Sequence, residues 1–453
     1  MEFLLSFLLL GLHLLDYERN INPILFLGIG AAIFVGLFFV VQKKTSNFLA
    51  SCIIMFCHTW QISWVNILGT PTSDLQLPWF YIIGALCICY ALLNIHHVLS
   101  KKINAGMLIA FITAIIISVS PLINSPSFGE ALKEFIMIMF FLCVTFVALI
   151  FSDTLDNNVR EHIVSAYIWC VFISSVFILF QSVAYLVFGR ALFKYAIGNY
   201  FGITMTSSNL LMEDTSCSTI MIGSAVFFML DRIEKKRDPI IHVIIILITV
   251  IALAMTTRRT SIISLVIILG VYAMFHYKSF VKKAVVIGLF GLLAAIMLAY
   301  LLIARPVDDI SMYLNDNSRF ENYIRAIEVG IAHPFGVGYD NAHLTTFMDD
   351  GIIPHNTLLR WFAMGGFWFT VPMVIIFANI TFQAFKKKLS AEYWVIIYVL
   401  FASNFIPDIL NARFFVIPCM CALMLTEKSS ETDSLAYLKE RKKKFKIKGF
   451  RRA

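Results

Sequence analysis

A histidine stands where a polar segment meets an apolar helix, a position that suits a general base. The sequence PHNTLLR at residues 354–360 leads directly into a run of apolar residues. A helix N-terminus disfavours positive charge, and neutral imidazole is the form that accepts a proton. We therefore predict that His355 is catalytic, with Asn356 and Arg360 beside it as supporting residues. A histidine that merely lies at the membrane boundary is the alternative.

Two adjacent arginines, Arg258 and Arg259, form a candidate anion site. They occupy a very short turn between two apolar stretches. Arginines at a membrane boundary are costly unless an anion pairs with them, and the guanidinium fork matches phosphate oxygens. The N–H groups of the following helix and the Thr260 and Ser261 hydroxyls would point to the same place. A lipid-linked diphosphate would fit there, and ordinary anchoring to lipid headgroups is the alternative.

The long polar segment at residues 305–355 contains the pattern of one amphipathic helix. Ser318 and Glu321 form an S-x-x-E capping box, and the sequence HPFGVG at residues 333–338 predicts a helix stop followed by a turn. We predict a helix from Ser318 to Ala332 that lies over the membrane face, although packing on the bundle is an equally good alternative. The apolar residues at helical spacing are Phe320, Tyr323, Ile324, Ile327 and Ile331.

The charge of this polar segment limits what it can attract. Residues 305–355 carry eight Asp and Glu residues against three arginines. Bulk attraction of an anionic substrate is therefore not its role, and any anion site must be made locally. A second polar stretch, residues 189–214, carries Arg190 and Lys194, and its apolar content predicts that it partly re-enters the membrane.

The composition excludes a soluble protein. The chain has 453 residues, of which 59% are apolar and 14% charged, and its mean hydropathy is +0.82. Soluble domains carry about 25% charged residues, so we predict an all-α polytopic membrane protein with about twelve to fourteen transmembrane helices. The apolar stretches lie at 3–15, 24–41, 48–68, 79–99, 104–122, 132–151, 163–188, 215–230, 239–256, 260–277, 284–304, 357–382, 391–405 and 413–426.

The distribution of charge predicts the orientation of these spans. With a cytoplasmic N-terminus, most of the 36 Lys and Arg residues fall inside, as the positive-inside rule requires. Both termini are then cytoplasmic and residues 305–355 form one large extracytoplasmic loop. We divide the chain into N-terminal membrane helices (1–304), this loop, C-terminal membrane helices (356–426) and a basic cytoplasmic tail (427–453).

Other sequence features indicate neither a metal nor a nucleotide. The nine cysteines show no spacing typical of a metal site, so we predict no metal and no cofactor. Walker, Rossmann and HExxH patterns are absent from the sequence. The basic tail is expected to contact anionic membrane lipids and no nucleic acid, because the topology already explains its charge.

Several motifs, taken in their order along the chain, resemble the signature of the O-antigen polymerase/ligase superfamily. In that superfamily an arginine-bearing helix, an "hP-fGvG" turn and an "HN-x-x-L" helix start form the large outer loop, and an "SR" element lies two spans earlier. The resemblance covers roughly residues 200–425. The matching residues are Ser318 to Phe320, residues 333–338, His355 to Leu359, Gly365-Gly366 and Thr257 to Thr260.

The resemblance implies a metal-independent, C-type glycosyltransferase fold with an undecaprenyl-diphosphate-linked sugar as donor. His355 would be the base that deprotonates the hydroxyl of the acceptor sugar. Arg258 or Arg259, with Arg319 as a further candidate, would bind the diphosphate and stabilise the leaving group.

The resemblance also extends the set of candidate residues and partners. Family members often have an additional arginine before an outer segment, and Arg190 or Lys194 could take its place here. Arg325 lies off the apolar stripe of the loop helix and is a supporting candidate. The expected partners are undecaprenyl-diphosphate-linked oligosaccharide, membrane lipids and a chain-length regulator protein.

We predict a polysaccharide repeat-unit polymerase acting on the outer leaflet of the bacterial cytoplasmic membrane. A ligase that moves a finished glycan to another acceptor shares the same motifs, and no sequence feature separates the two. A lipid-linked oligosaccharide flippase is the alternative of another class. It would place charged residues in a cavity within its spans, whereas here the polar residues gather at the outer face.

Overall fold

The fold is a bundle of apolar helices, as the sequence predicts. The computed structural model describes residues 8, 23–59, 79–100, 105–188, 197–200, 203–206, 215–256, 259–304, 317–348, 351–386 and 391–405. Helices cover every predicted apolar stretch within these ranges. The first stretch, 3–15, is described only at Leu8, and the last stretch, 413–426, lies outside the described residues, as does the tail.

Within the described ranges, the first half of the chain contributes eight helices. Phe128–Phe151 is followed by a short 3-10 turn, Ser152–Thr154. The helices are α1 (Pro23–Thr45), α2 (Phe48–Thr59), α3 (Trp79–Leu93), α4 (Ile95–Ser100), α5 (Ala105–Ile117), α6 (Val119–Asn124), α7 (Phe128–Phe151) and α8 (Asn157–Phe188).

The described part of the second half contributes eight more helices, two of them in the predicted outer loop. They are α9 (Thr215–Glu234), α10 (Pro239–Met255), α11 (Arg259–His276), α12 (Phe280–Ala304), α13 (Asn317–Ala332), α14 (Asn341–Thr345), α15 (Thr357–Lys386) and α16 (Ala391–Ser403).

Length and composition mark many of these helices as membrane spans. Helices cross a membrane because they satisfy their own backbone hydrogen bonds. Within the described ranges, five are long and apolar enough to cross by themselves: Gly28–Thr45, Ala105–Asn124, Phe128–Phe151, Asn157–Ala184 and Thr357–Phe382. Shorter apolar helices are Phe48–Cys57, Tyr81–Leu93, Pro239–Met255, Ser261–His276 and Tyr393–Ser403.

The second polar stretch, residues 189–214, contains a small antiparallel hairpin. Its strands are β1 (Ile197–Tyr200) and β2 (Ile203–Thr206), with Ile197 opposite Thr206. β2 packs near α8. The hairpin is a departure from the helices that make up most of the described residues, and the rest of this stretch, including Arg190 and Lys194, lies outside them.

Helix α15 joins the two halves of the chain. It packs against α5 and α6 from the first half and against α13 and α16 from the second. Phe377 of α15 stacks on Phe141 of α7 at 5.9 Å and on Trp361 of its own helix at 5.9 Å. Helix α15, which begins two residues after the predicted catalytic residue His355, is therefore held by both halves.

Helix α13 has the amphipathic character predicted for the loop, and its two faces have different surroundings. Ala326 and Val329 are buried, and Gly330 lies so close to α15 that a methyl group there would clash with Phe362. The opposite face carries an exposed apolar stripe, which we call the α13 stripe: Phe320 (68% exposed), Ile324 (45%), Ile327 (42%) and Ile331 (69%). The helix therefore packs on the bundle through small residues and leaves its large apolar residues outward.

We expect the α13 stripe to contact lipid, because large apolar residues at this spacing are typical of a helix lying in a membrane interface. A photoreactive benzoylphenylalanine at Ile327 should then form lipid adducts. The same label at Glu321, which is exposed and polar, is the matched control. Mass spectrometry of the labelled peptide would detect the adduct. Equal lipid labelling at both positions, or none, would contradict the expectation.

Candidate active site

The candidate site is built around a break in helix α15. Gly366 has φ +75° and ψ −177°, a conformation that is not helical and that favours glycine. The break frees the carbonyl groups of Ala363 and Met364 and the N–H of Trp368 from their ordinary helical partners. Backbone groups freed within a membrane protein need other partners.

The predicted turn at residues 333–338 supplies those partners. Val337 N–H donates to the Ala363 carbonyl at 3.2 Å, and Gly338 N–H donates to the Met364 carbonyl at 3.0 Å. In return, the Trp368 N–H donates to the Pro334 carbonyl at 3.3 Å. The turn and the broken helix thus satisfy each other's backbone hydrogen bonds. This explains why the glycine-containing motifs at residues 333–338 and 365–366 occur together in the sequence.

The first half of the chain holds this turn from its other side. Asn124 Nδ2 donates to the Gly336 carbonyl at 3.1 Å, and Tyr339 N–H donates to Ser125 Oγ at 2.7 Å. Both residues lie at the end of α6, just before α7 begins. The turn is consequently clamped between α6 and the break in α15.

His355 lies two residues before α15, half-buried. Its Nδ1 is 3.1 Å from the Ile353 carbonyl, and its own carbonyl accepts a hydrogen bond from the Tyr323 hydroxyl at 3.0 Å. A carbonyl can only accept, so Nδ1 carries the proton and, in neutral imidazole, Nε2 carries the lone pair. The ring is therefore oriented so that Nε2 is the nitrogen that can take up a proton.

Asn356 acts as the N-cap of α15. Its Oδ1 accepts the Leu359 N–H at 3.1 Å, and its carbonyl accepts the Arg360 N–H at 2.9 Å. Such a cap stabilises a helix by about 1 kcal/mol. The supporting role predicted for Asn356 is thus compatible with its place: it fixes the helix start next to His355.

Arg360 is buried, with 3% of its side chain exposed. Its Nη2 donates to Asn341 Oδ1 at 2.7 Å and lies 3.5 Å from Glu134 Oε1. Tyr339 lies in the same region. The pKa of its hydroxyl is raised mainly by burial and in addition by the negative charge of Glu134. These contacts direct Arg360 into the protein, toward α7 and α14.

Arg325 also makes contacts within the protein. Its Nε donates to the Phe347 carbonyl at 3.0 Å, and its Nη1 lies 2.9 Å from Glu328 Oε2 on the same helix. Nearby, Asn322 Nδ2 donates to the Ile352 carbonyl at 2.8 Å. Together these bonds tie α13 to the segment that leads to His355, so Arg325 has a supporting place in the loop.

The arginines predicted to bind diphosphate are described less completely. Arg259 begins α11 and Arg319 lies in the first turn of α13, while their side chains and the whole of Arg258 lie outside the described residues. The expectation for Ser261 is wrong: its hydroxyl is buried and hydrogen-bonded to the Thr219 hydroxyl on α9. The cause is close packing of α9 against α11.

The structure brings His355, Asn356, Arg360 and Arg325 into one region, at the contact of α13, α14 and the start of α15. Helix α11, which Arg259 begins, packs instead against α9, α12 and α16. Among the described residues, no group of three or more His, Cys, Asp or Glu side chains could hold a metal ion.

Sequence reasoning missed the residues that come from the first half of the chain. These are Asn124, Ser125 and Glu134. The two small polar residues carried no usable signal. Glu134 did carry one, because a carboxylate near the start of an apolar span is rare and marks a functional or structural partner.

The fold and this site define a multi-pass, all-α membrane protein with a polar, histidine-bearing site at the end of its bundle. Residues 243–374 match the family model described as O-antigen ligase, a region that runs from α10 into α15. This region of the chain is therefore similar to the O-antigen ligase family, in agreement with the resemblance of its motifs to the O-antigen polymerase/ligase superfamily. A search of curated proteins finds no match to the chain.

Proposed function

We propose that this protein is a glycosyltransferase that joins undecaprenyl-diphosphate-linked oligosaccharide units on the outer leaflet of the bacterial cytoplasmic membrane. The observation that carries the proposal is the orientation of His355, whose Nδ1 is engaged by the Ile353 carbonyl. Its Nε2 is then available as a base. The match to the O-antigen ligase family supports a lipid-linked glycan as substrate.

In the proposed reaction, Nε2 of His355 accepts the proton of an acceptor sugar hydroxyl. The hydroxyl oxygen forms a bond to the anomeric carbon of the donor, and the bond from that carbon to the diphosphate oxygen breaks. The electron pair leaves with the diphosphate, whose developing charge needs a cation nearby. We assign the stabilisation of this charge to Arg258, Arg259 and Arg319.

The orientation of the protein in the membrane is part of the proposal. Basic residues at the junction of α9 and α10 are engaged with an acid near the start of α8: Arg232 and Arg237 both pair with Glu161. The hairpin follows the opposite end of α8. Cytoplasmic placement of the α9–α10 junction agrees with the positive-inside rule and would put His355 outside, with both termini in the cytoplasm.

A ligase is the second candidate function, and the description of the matching family favours it. Polymerase and ligase differ in the acceptor: a polymerase uses a second lipid-linked unit, whereas a ligase uses a different molecule. The chemistry assigned to His355 is the same in both.

Purified protein supplied with undecaprenyl-diphosphate oligosaccharide alone should separate these functions. Because a polymerase needs no other acceptor, we expect a ladder of products differing by one repeat unit on a denaturing gel. Product that forms only after a separate acceptor is added would identify a ligase. No product in either case, together with movement of the labelled lipid across vesicles containing the protein, would overturn the enzyme in favour of a flippase.

A further inference from the structure

A buried ion pair connects the first half of the chain to the helix that follows His355. Arg360 lies in the first turn of α15, and Glu134 lies in α7. Their closest atoms, Nη2 and Oε1, are 3.5 Å apart, and the exposed fractions of the side chains are 3% and 14%. Glu134 lies outside the region that matches the family model.

A buried guanidinium is held firmly because its charge persists and must be compensated where it lies. Arginine stays protonated in proteins, and leaving one member of a buried pair alone is far more costly than the pair itself. Asn341 Oδ1 holds the same Nη2 at 2.7 Å. Arg360 thus connects α15 to α7 and α14 at once.

The position of Arg360 transmits this restraint to His355. The Arg360 N–H donates to the Asn356 carbonyl at 2.9 Å, and Asn356 is the residue directly after His355. Movement of Arg360 would therefore displace the first turn of α15 and the orientation of the adjacent imidazole. Such displacements matter, since a misplacement of about 1 Å can reduce catalysis about 100-fold.

We propose that Glu134 is a positioning residue, which acts through Arg360 to fix the start of α15 and thereby the direction of His355 Nε2. Its significance for catalysis rests on the proposed function, whereas its effect on the position of His355 does not.

The neighbouring tyrosine provides a control. The Tyr339 hydroxyl is buried, and in the part of the chain that the structure describes it has no hydrogen-bond partner. Burial and the Glu134 carboxylate raise its pKa, so the hydroxyl remains neutral. It therefore carries no charge that could take the place of Arg360 beside Glu134. Replacing Tyr339 with phenylalanine should leave the ion pair intact.

The proposal can be tested without any substrate by the rate at which diethyl pyrocarbonate modifies His355, because this reagent reacts with an accessible imidazole nitrogen. The rate would be measured by peptide mass spectrometry on the full-length protein in nanodiscs, relative to the exposed His333. We expect Glu134→Gln to change the His355 rate about threefold or more and Tyr339→Phe to leave it within about twofold, because Glu134 holds Arg360 by charge and the Tyr339 hydroxyl does not.

A double variant tests whether the effect passes through Arg360. Glu134→Gln should have no additional effect on the His355 rate in an Arg360→Gln background, since residues acting as one unit are not additive. Arg360→Lys keeps the buried charge but loses the fork, and it should also change the rate. An unchanged rate in Glu134→Gln, or additive effects in the double variant, overturns the proposal.

Enzyme kinetics then distinguish a positioning role from a purely structural one, because a purely structural role would leave kcat unchanged. With the lipid-linked donor, Glu134→Gln should lower kcat about 10- to 100-fold and leave KM within about twofold. A loss confined to the amount of folded protein, with kcat unchanged, contradicts a positioning role. Failure of the unaltered protein to make product would refute the proposed function, while the modification rates would still judge the role of Glu134.

Discussion

Replacing His355 with glutamine should abolish glycan transfer while the protein still inserts and accumulates. Glutamine has a similar size but cannot take up a proton near neutral pH, so the acceptor hydroxyl would lose its base. General-base catalysis typically contributes about 100- to 10,000-fold in rate. The side chain is only half-buried, and surface substitutions usually change stability by about 0.5 kcal/mol or less. Long-chain product on a gel, normalised to purified protein, measures the effect.

His333→Gln is the matched control for this variant. His333 is exposed just after the end of α13, in the same loop, and contacts the Phe347 ring. Its replacement should leave product formation within about twofold, because its ring is exposed and contacts Phe347, and surface substitutions usually have small effects. If His355→Gln retains long product, or if His333→Gln loses it equally, the catalytic assignment fails.

Gly366→Ala should destabilise the protein severely. A methyl group at this position would lie 2.3 Å from the Pro334 carbonyl oxygen, and the φ of +75° is strained for alanine. Backbone strain and forced displacement each cost about 1–3 kcal/mol, and separating the turn from α15 would also break their hydrogen bonds. We expect much less folded protein and a clear drop in thermal unfolding midpoint, measured by size-exclusion chromatography after heating.

Two other glycines separate the causes of that effect. Gly351 has φ +66° but open space around it, so Gly351→Ala should cost only the strain of about 1–2 kcal/mol. Gly129 has open space and no positive φ, and its replacement should be neutral. If Gly366→Ala and Gly351→Ala lower the thermal unfolding midpoint equally, the close approach of residue 366 to Pro334 contributes nothing to the destabilisation.

Hydropathy was enough to predict the helices, because each apolar stretch must satisfy its own backbone within the membrane. The loop helix was predicted almost to its ends, from Ser318 to Ala332 against the observed Asn317–Ala332. Its apolar spacing is unambiguous and Pro334 prevents continuation. The break at Gly366 was not predicted, since Gly365-Gly366 stands within an apolar run and its partners lie about thirty residues earlier in the chain.

The candidate site was only partly accessible to sequence reasoning. His355 and Asn356 form a local motif at a helix start, so their type and order carried information. The ion pair of Glu134 and Arg360 depends on contact between residues 226 positions apart, and pairing at such a separation is set by tertiary packing. The same packing explains the error over Ser261, whose hydroxyl met Thr219 on a neighbouring helix.

The mutual hydrogen bonding of the turn and the break in α15 has a consequence for biogenesis. When α15 enters the membrane during synthesis, the carbonyls of Ala363 and Met364 require as partners the amides of Val337 and Gly338, which are synthesised earlier and, in the orientation we propose, lie on the outer side of the membrane. Insertion of α15 and docking of the loop must therefore be completed together. The end of α6, which is synthesised earlier, supplies Asn124 and Ser125 as hydrogen-bond partners of the turn, so the first half of the chain would act as an internal template for folding the second half.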